Sequence, residues 1–342
     1  MLLENRVVLV TGGGRGIGAA ISRVVASHGA AVAVNYSRSA ERAEAVAEQI
    51  RAGGGRAAAV PADVRDPDQV QRMMARVEAE FGGLDGLVHN AFAGRQHGAF
   101  SDCTLEDFAT AFDFGAKAVV NLVSAARPLF VRRGGGRVVN IVTELWNMAP
   151  AEWSVYLAGK GAMVGLSRSL AMELGPEQIT VNMVAPGWMA DEKVDTTSAA
   201  SVNFGKSLPL RRHGSADEIG KACVFFLSDL ASYITGAYLP VTGGRITQMG
   251  AIRLKGSCRG IVLRHLAIRQ TLGGGIVNDW TADGETLADV EIRDSSFAAI
   301  DNDGIRLSRP VAESKSPLGV ITGLRIWRNH LADIGLRCSE QQ

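Results

Sequence analysis

The sequence predicts an α/β fold built on a doubly wound parallel sheet over residues 1–247, followed by a small all-β domain. Up to about Gly244, short apolar strands alternate with longer helical segments. The strands are apolar throughout rather than at every second residue, which is typical of a parallel sheet covered on both faces. Beyond about Ser257 the helical patterns stop and short period-two strands replace them. The chain therefore has two parts of different architecture.

The predicted elements of the first part follow one another in alternation. The predicted strands are Val7–Val10, Ala31–Asn35, Ala57–Val60, Leu87–His89, Val138–Val142, Thr180–Val184 and Tyr238–Val241. Apolar residues recur at spacings of three and four in the predicted helices, which are Ala19–His28, Ser39–Ala52, Pro67–Phe81, Leu105–Arg132, Val155–Leu174 and Ala216–Leu227. A ligand of such a sheet binds beyond the carboxyl ends of the strands. Functional residues are therefore expected in the segments that follow the strands.

Residues 258–342 contain a repeat. Gly275, Gly304 and Gly335 each open a short strand, at intervals of 29 and 31 residues. A repeat of this length predicts a stack of similar coils, and the segment resembles about three coils of a right-handed parallel β-helix. A small irregular β domain or a partly ordered tail is the alternative. Residues 248–257 form the predicted linker to the first domain.

Composition and charge exclude several classes of function. Lys and Arg total 36 against 35 Asp and Glu, so the formal net charge is +1. This balance lacks the basic excess that a nucleic acid or an anionic membrane would need. The sequence has no apolar run of 18 residues to span a membrane, and Glu4 and Arg6 interrupt any apolar signal-peptide core. We expect a cytoplasmic protein without nucleic-acid or membrane partners.

The cysteines predict neither a disulfide framework nor a metal site. The four cysteines lie far apart, without a Cys-x-x-Cys spacing, at Cys103, Cys223, Cys258 and Cys338. Free thiols in a reducing compartment are the simplest interpretation of this pattern. We therefore expect no metal in the functional site.

A glycine-crowded turn follows the first strand. Residues 11–18 read Thr-Gly-Gly-Gly-Arg-Gly-Ile-Gly, and the residues after them have helical composition. Glycines between a buried strand and a helix allow the backbone to approach a pyrophosphate, whose charge then lies at the helix N-terminus. Glycine also serves turns that bind nothing, because it tolerates positive φ. The position of this turn at the start of an alternating strand–helix chain favours a dinucleotide site.

Tyr156 and Lys160 lie four residues apart in the predicted helix Val155–Leu174. This spacing places both side chains on one face of the helix. A nearby ammonium favours the ionised form of a phenol, so the pair could provide a proton donor that works near neutral pH. Thr143 ends the preceding strand, where its hydroxyl could bind the same substrate oxygen. A solvated surface pair is the alternative.

Taken together and in this order, these features resemble the short-chain dehydrogenase/reductase family over residues 1–247. The matching motifs are Thr11-Gly12-(x)3-Gly16-Ile17-Gly18, Asp63-Val64, Asn90-Ala91, Thr143, Tyr156-(x)3-Lys160 and Pro186-Gly187. The closing stretch Ser228–Gly244 is similar to the end of that fold. Within the family, the overall sequence pattern most resembles that of 3-oxoacyl-[acyl-carrier-protein] reductases.

The resemblance implies an oxidoreductase with a Rossmann domain. Tyr156 would donate a proton to a carbonyl oxygen while a nicotinamide delivers hydride, Lys160 would hold the ribose and lower the pKa of Tyr156, and Thr143 would position the carbonyl. The residues implied in cofactor binding are Gly12, Arg15, Gly16, Ile17, Gly18, Ser37, Arg38, Asp63, Val64, Asn90, Ala91, Tyr156, Lys160, Pro186 and Gly187. The substrate would be a 3-oxoacyl thioester, free or bound to a carrier protein, or another ketone. The chain would form a homodimer or homotetramer.

Charge at the end of the second strand predicts which cofactor is used. In NAD-specific sheets an acid at this position binds the ribose 2′-hydroxyl, but here the position is Tyr36. Arg38 follows shortly after, and Arg15 lies in the glycine turn. Both guanidiniums could reach a 2′-phosphate, to which bidentate Arg is well suited. We therefore expect NADPH rather than NADH, with two solvated surface arginines as the alternative.

Several positions depart from the pattern of the family near the nicotinamide. Gly115 stands where the family carries an Asn of its proton relay, Phe92 where a glycine is usual, and Asp191 where a Thr is expected. These departures keep open a second hypothesis, a scaffold protein that binds the dinucleotide without turnover. A third hypothesis is a fusion whose β-helix binds carbohydrate.

The histidines and tryptophans near the predicted site allow two interpretations. His89 and His97 are expected to be packed or solvated rather than to act as additional acids or bases. The tryptophans would line the substrate side and favour an apolar or planar substrate, unless they serve the core; they are Trp146, Trp153 and Trp188.

Overall fold

The computed structural model describes residues 1–192 and 194–245, and beyond them only short strands between residues 252 and 332. The chain divides into two units, Met1–Ile246 and Thr247–Gln342. The first unit contains every helix that the structure describes. Its architecture determines where the candidate site lies.

A seven-stranded parallel sheet forms the centre of the first unit. Its strands and a separate short pair, β7 and β8, are β1 (Val7–Val10), β2 (Ala31–Tyr36), β3 (Arg56–Pro61), β4 (Gly86–His89), β5 (Gly136–Ile141), β6 (Ile179–Pro186), β7 (Met189–Ala190), β8 (Gly214–Ser215) and β9 (Tyr238–Val241). The order in the sheet is β3-β2-β1-β4-β5-β6-β9. The order reverses direction between β1 and β4, which is the doubly wound arrangement. This confirms the predicted fold of the first part.

Helices cover both faces of the sheet. They are α1 (Gly16–Ser27), α2 (Ala40–Ala52), α3 (Pro67–Phe81), α4 (Leu105–Phe112), α5 (Ala118–Arg132), α6 (Leu145–Met148), α7 (Ser154–Leu174), α8 (Ala199–Ser207) and α9 (Ala216–Leu227). One core joins the sheet to α1, α2 and α9, and the other joins it to α3, α5 and α7. Val7 and Leu9 lie in one core while Val8 and Val10 lie in the other. The strands are apolar throughout because successive side chains enter opposite cores.

Local sequence determines where several helices begin and end. The carboxylate of Asp66 accepts hydrogen bonds from the backbone amides of Asp68 and Gln69, and Pro67 occupies the first turn of α3. Gly82 ends that helix with φ of 83°, a conformation that glycine adopts without strain. These signals explain why the predicted and observed bounds of α3 agree. The short helices α6 and α8 carry weaker signals, and the sequence patterns did not predict them.

The predicted helix Leu105–Arg132 is not a continuous α-helix. A π-helical turn, Asp113–Lys117, separates α4 from α5. A Cβ atom built on Gly115 would lie 2.0 Å from the backbone oxygen of Gly159 in α7. The two backbones can therefore approach this closely only because residue 115 has no side chain. The α-helical prediction was wrong at this turn, since periodicity does not report a tertiary contact of this kind.

The segment Leu105–Arg132 is also long and apolar enough, by length and composition alone, to cross a membrane. Half of its most apolar window is buried inside the first unit. Val119, Leu122 and Phe130 of α5 belong to the core beside the sheet. A core helix with this composition passes the same test, so the finding is weak evidence for a membrane span.

Beyond residue 246 the structure describes twelve short strands. They are β10 (Ile252–Lys255), β11 (Cys258–Arg259), β12 (Val262–Arg264), β13 (Ala267–Arg269), β14 (Ile276–Asp279), β15 (Thr286–Ala288), β16 (Glu291–Arg293), β17 (Ser296–Ala298), β18 (Ile305–Arg306), β19 (Val320–Thr322), β20 (Arg325–Trp327) and β21 (His330–Ala332). They pair in parallel as β10-β14-β18, β11-β15-β19, β12-β16-β20 and β13-β17-β21. The connecting residues and the side chains here lie outside the described residues. The linker 248–257 and the right-handed β-helix over 258–342 therefore stay predictions.

Candidate active site

A cavity of about 1170 Å³ lies at the carboxyl ends of the sheet strands in the first unit. The segments that follow β1 to β6 line it, as expected for a doubly wound sheet. The structure brings every predicted site residue to this cavity, namely Gly12, Arg15, Gly16, Ile17, Gly18, Ser37, Arg38, Asp63, Val64, Asn90, Ala91, Thr143, Tyr156, Lys160, Pro186 and Gly187. Residues that are far apart in the chain thus share one site. Their chemical roles stay predictions.

The glycine turn presents an open helix end to the cavity. The side chain of Arg15, the residue before α1, makes no capping hydrogen bond, and the first turn of this fully described helix contains no acidic residue. A Cβ atom on Gly18 would lie 2.2 Å from the backbone oxygen of Gly12. The turn therefore needs glycine at residue 18 to close tightly. The amide groups that begin α1 remain available to an anion.

Asn90 and Asn35 hold this turn in place. The side-chain amide of Asn90 donates to the backbone oxygens of Thr11, at 3.1 Å, and Gly12, at 3.3 Å. The side-chain oxygen of Asn35, at the end of β2, accepts a hydrogen bond from the backbone amide of Gly12 at 3.3 Å. Because it makes these bonds, Asn90 supports the turn in addition to lining the cavity. The sequence analysis had placed it only among the residues implied in cofactor binding.

The end of β2 carries no carboxylate. Tyr36, Ser37 and Arg38 line the cavity there, and Arg38 and Arg15 are both exposed. Asp63, at the end of the neighbouring strand, pairs with Arg65 at 2.7 Å. The hydrogen bonds from Arg65 lower the pKa of Asp63, and the charge of Arg38 lowers it further. The rim of the cavity at this end therefore combines exposed guanidiniums with a carboxylate that is already paired.

Tyr156 and Thr143 both line the cavity, and the threonine hydroxyl is close enough to affect the phenol. Burial raises the pKa of the Tyr156 phenol, and the nearby Thr143 hydroxyl opposes this only in part. The sequence had predicted that Lys160 lowers the pKa of Tyr156. In this structure burial raises that pKa overall, and the effect of the lysine stays a prediction. The phenol is therefore protonated at neutral pH.

The backbone around Thr143 is fixed from two sides. The backbone amide of Leu145 donates to the Thr143 hydroxyl oxygen at 3.2 Å. The phenol of Tyr238 donates to the backbone oxygen of Thr143 at 2.7 Å, and Asn147 donates to the Tyr238 oxygen at 3.2 Å. Sequence analysis did not single out Tyr238, because Tyr238 and Thr143 are far apart along the chain and no local pattern links them. These contacts fix the backbone and the hydroxyl oxygen of Thr143 in the cavity wall.

Lys160 is 3% exposed although it lines the cavity. Its ammonium donates to the backbone oxygen of Ile141 at 2.6 Å. Its Nζ lies 4.5 Å from the ring centre of Phe92 and 5.9 Å from that of Tyr156. Burial lowers the pKa of Lys160 to about 7. The lysine is thus partly neutral at neutral pH, which the exposed-pair alternative would not allow.

We expect Lys160→Met to stabilise the protein more at pH 6 than at pH 9. Below pH 7 the ammonium is charged in the folded and the unfolded state, so the full cost of its burial is present. Above pH 7 the folded lysine loses its proton, and the cost falls until the ordinary pKa of 10.5 is reached. The gain in Tm should be larger at pH 6 by about 5 °C. Exposed Lys206→Met is the control and should show no such difference; an equal gain at both pH values for Lys160→Met would contradict the prediction.

Glu144 is a buried acid that sequence analysis missed. Its Oε1 pairs with Arg245 at 2.7 Å, while its Oε2 has no hydrogen-bond partner among the residues that the structure describes. Burial raises the pKa of Glu144, and Arg245 opposes the shift. Both residues line the cavity. One sequence signal could have identified Glu144. It is an acidic residue that directly follows Thr143 at the end of an apolar strand.

His89 and His97 both make contacts with neighbouring protein groups. His89 is buried, contacts the hydroxyl of Thr11 and the backbone oxygen of Phe114, both at 3.1 Å, and has a pKa lowered to about 4 by burial. His97 pairs with Glu152 at 3.0 Å. A neutral, packed His89 fits the expectation from the sequence.

Two of the three tryptophans expected on the substrate side line the cavity. They are Trp153 and Trp188. Trp146 packs against α7 instead, where a Cβ atom on Gly161 would lie 2.4 Å from the indole ring. Phe92 and Phe114 add two further aromatic rings to the cavity wall. Four aromatic side chains besides the tyrosines therefore line the cavity.

Comparison with known proteins gives consistent matches. The family described as enoyl-(acyl carrier protein) reductase matches residues 12–245. The chain is 37% identical to the 3-oxoacyl-[acyl-carrier-protein] reductase FabG of Staphylococcus aureus, over 70% of this chain and 98% of that protein. A short chain dehydrogenase from Burkholderia cenocepacia, solved in complex with NADP, is 38% identical with a TM-score of 0.66, over 71% of this chain and 99% of that one. A blue fluorescent protein from a metagenomic library, solved in complex with NADPH, is 33% identical with a TM-score of 0.66, over 72% of this chain and all of that one.

Proposed function

The chain belongs to the short-chain dehydrogenase/reductase family, and we propose that it is an NADPH-dependent carbonyl reductase. The observation that carries the proposal is that Tyr156 and Thr143 both line the cavity, with the Thr143 hydroxyl close enough to shift the pKa of the phenol. Two hydroxyls at one point can both contact a single carbonyl oxygen. The open N-terminus of α1 lies in the wall of the same cavity. One cavity thus combines a proton donor, Tyr156, with an anion site at the start of α1, and a dinucleotide-dependent reductase requires both.

The residues of the cavity fit a dinucleotide. The amide groups that begin α1 suit its pyrophosphate, and Arg15 and Arg38 suit a 2′-phosphate because β2 ends without a carboxylate. The related structures in complex with NADP and NADPH support the same choice. When bound, NADPH supplies the hydride. The protein supplies the orientation of the reactants and the proton.

Tyr156 is the proposed proton donor. Its phenol is protonated at neutral pH because burial raises its pKa, which suits reduction, where the developing alkoxide takes up a proton. Thr143 donates its hydroxyl hydrogen to the same oxygen, since the backbone amide of Leu145 already occupies an acceptor position on the threonine oxygen. Lys160, with a pKa of about 7, can hold or release a proton near neutral pH, behind the tyrosine.

The proposed substrate is a 3-oxoacyl thioester, with other ketones as the wider class. The relative from Staphylococcus aureus is a 3-oxoacyl-[acyl-carrier-protein] reductase. The aromatic wall that includes Trp153 and Trp188 suits an apolar acyl chain. The family description names an enoyl substrate instead. Two hydroxyls directed at one point favour the carbonyl, because that oxygen gains a full negative charge during reduction.

The remaining expectations stand as proposals. We infer a cytoplasmic homodimer or homotetramer that acts on a free or carrier-bound substrate. We also propose that residues 258–342 form about three coils of a parallel β-helix, separated from the domain 1–247 by the linker 248–257. The parallel pairing of β11 to β21 supports the coils, whereas β10 (Ile252–Lys255), which pairs with β14, falls within the proposed linker. The interval of the repeated glycines supports the coils as well.

A turnover assay on the full-length chain tests the proposed function. NADPH oxidation is followed with 3-oxoacyl thioesters, with the matching enoyl thioesters and with unrelated ketones. We expect turnover with the 3-oxoacyl compounds, and at least tenfold higher kcat/KM with NADPH than with NADH. Turnover with the enoyl compounds alone would replace the proposed substrate. NADPH binding by calorimetry without any turnover would favour the scaffold hypothesis.

A further inference from the structure

Phe92 lies on the loop after β4, in the wall of the cavity. Its ring packs edge-on against Tyr156, with ring centres 5.2 Å apart and an angle of 81°. A second contact joins it to Phe114, with ring centres 5.9 Å apart. The ammonium of Lys160 lies 4.5 Å from its centre. One side chain thus contacts both members of the Tyr156 and Lys160 pair.

The hydrogen-bonding capacity of Lys160 is only partly used. An ammonium has three N–H donors, and within residues 1–192 and 194–245 its one acceptor is the backbone oxygen of Ile141. The face of the Phe92 ring lies within the 6 Å at which an ammonium is attracted to an aromatic ring. The remaining donors therefore have a ring as their neighbour in place of two oxygen acceptors. A pair of adjacent hydroxyls would satisfy them better.

Lys160 is 3% exposed, with the centre of the Phe92 ring 4.5 Å from its Nζ. Lys160 lines the cavity, yet Phe92 stands beside its Nζ. A ligand hydroxyl can form a hydrogen bond with Nζ only from a side of the ammonium that the Phe92 ring does not occupy. The hydroxyl pair and the aromatic ring therefore compete for the same side of the ammonium. The attraction between ring and ammonium must be lost before the ligand gains its hydrogen bonds.

We propose that Phe92 is an aromatic cap on Lys160 that competes with the nicotinamide-side ribose and so weakens the binding of NADPH. This inference rests on the proposed function, since it takes a dinucleotide as the ligand. The competing group is a ribose diol, the part of the dinucleotide that offers two adjacent hydroxyls. Phe92 is thus a residue that sets cofactor affinity at one end of the cavity only. The adenosine end, with Arg15 and Arg38, is not affected.

A substitution series at residue 92 tests the proposal by binding alone. The full-length wild type, Phe92→Gly, Phe92→Leu and Phe92→Trp are titrated at pH 6 with NADPH and with adenosine 2′,5′-bisphosphate. The second probe contains the adenosine and its phosphates but no nicotinamide ribose, so it is the internal control. We expect Phe92→Gly to bind NADPH about tenfold more tightly, which corresponds to 1.4 kcal/mol. Phe92→Leu should give a smaller gain of about threefold, and Phe92→Trp a loss, because Trp attracts cations most strongly.

Affinity for adenosine 2′,5′-bisphosphate should stay within about twofold across the series. Equal changes for both probes would overturn the proposal, because a general loosening of the fold affects the whole cavity. Unchanged or weaker NADPH binding in Phe92→Leu would overturn it as well, and this variant keeps apolar bulk in the site should Phe92→Gly fail to fold. If neither probe binds the wild type, both the proposed function and this inference fail. If both probes bind and the affinity for NADPH does not change across the four proteins, this inference is overturned and the proposed function is not.

Discussion

Tyr156→Phe is expected to lower kcat for a 3-oxoacyl thioester by about 10²–10⁴-fold, the usual contribution of a general acid. The substitution removes the phenol hydroxyl while the ring stays in contact with Phe92 and Trp153. Because the ring remains packed, the fold and the affinity for NADPH should be retained. Stopped-flow or steady-state NADPH oxidation measures the loss, and a binding titration measures the retained affinity.

Tyr233→Phe is the matched control for this substitution. The Tyr233 side chain is fully exposed, so the same loss of a phenol hydroxyl should leave turnover unchanged. The pH profile gives a second check, since Tyr156 is protonated through neutral pH and should not limit reduction there. Undiminished turnover in Tyr156→Phe would reject the phenol as proton donor. The carbonyl reductase proposal would then need another acid in the cavity.

Gly115→Asn, which introduces the residue usual in the family, is expected to destabilise the protein. A Cβ atom at residue 115 would lie 2.0 Å from the Gly159 oxygen and 2.6 Å from the Gly159 carbonyl carbon. Backbone atoms cannot rotate away as a side chain can, so the π-helical turn and α7 must move apart. Overpacking of this kind costs about 2 kcal/mol. For a unit of this size we expect a fall in Tm of about 6 °C, measured by calorimetry or circular dichroism.

Gly165→Asn provides the matched control in α7. A Cβ atom on Gly165 meets nothing within 4 Å, so the same chemical change should leave Tm unchanged or slightly higher, because Asn favours a helix more than Gly does. Since Tyr156 and Lys160 lie on the helix that must move, Gly115→Asn should also lower turnover rather than restore a proton relay. A Gly115→Asn variant as stable as wild type would show that the two backbones separate at no cost.

The catalytic consequence of Gly115 follows from the same contact. The family's Asn would hold a water that links Lys160 to solvent. Here Lys160 donates to the backbone oxygen of Ile141 instead, and its pKa of about 7 allows it to exchange a proton near neutral pH. Gly115 thus removes the side chain that would hold this water and leaves the lysine itself in place in the cavity wall. The turnover assay decides between the enzyme and the scaffold hypothesis.

Much of the candidate site was predictable because its signals are local. The turn Thr11–Gly18 needs glycine for its backbone, and the four-residue spacing of Tyr156 and Lys160 places them on one helix face. The strands end within two residues of their predicted ends, so the edge of the sheet where the cavity lies was also predictable. The cap on α3 at Asp66 is a further local signal. None of these required knowledge of a distant residue.

The sequence by itself determined the alternation of strands and helices, the glycine turn and the shared helix face of Tyr156 and Lys160, because periodicity and backbone preferences act over a few residues. Only the tertiary structure decided that Phe92 covers Lys160, that Gly115 meets Gly159 and that burial raises rather than lowers the pKa of Tyr156. Each of these depends on groups from separate elements. Desolvation and close backbone contact arise only when the sheet and its helices enclose a cavity, so no local pattern reports them.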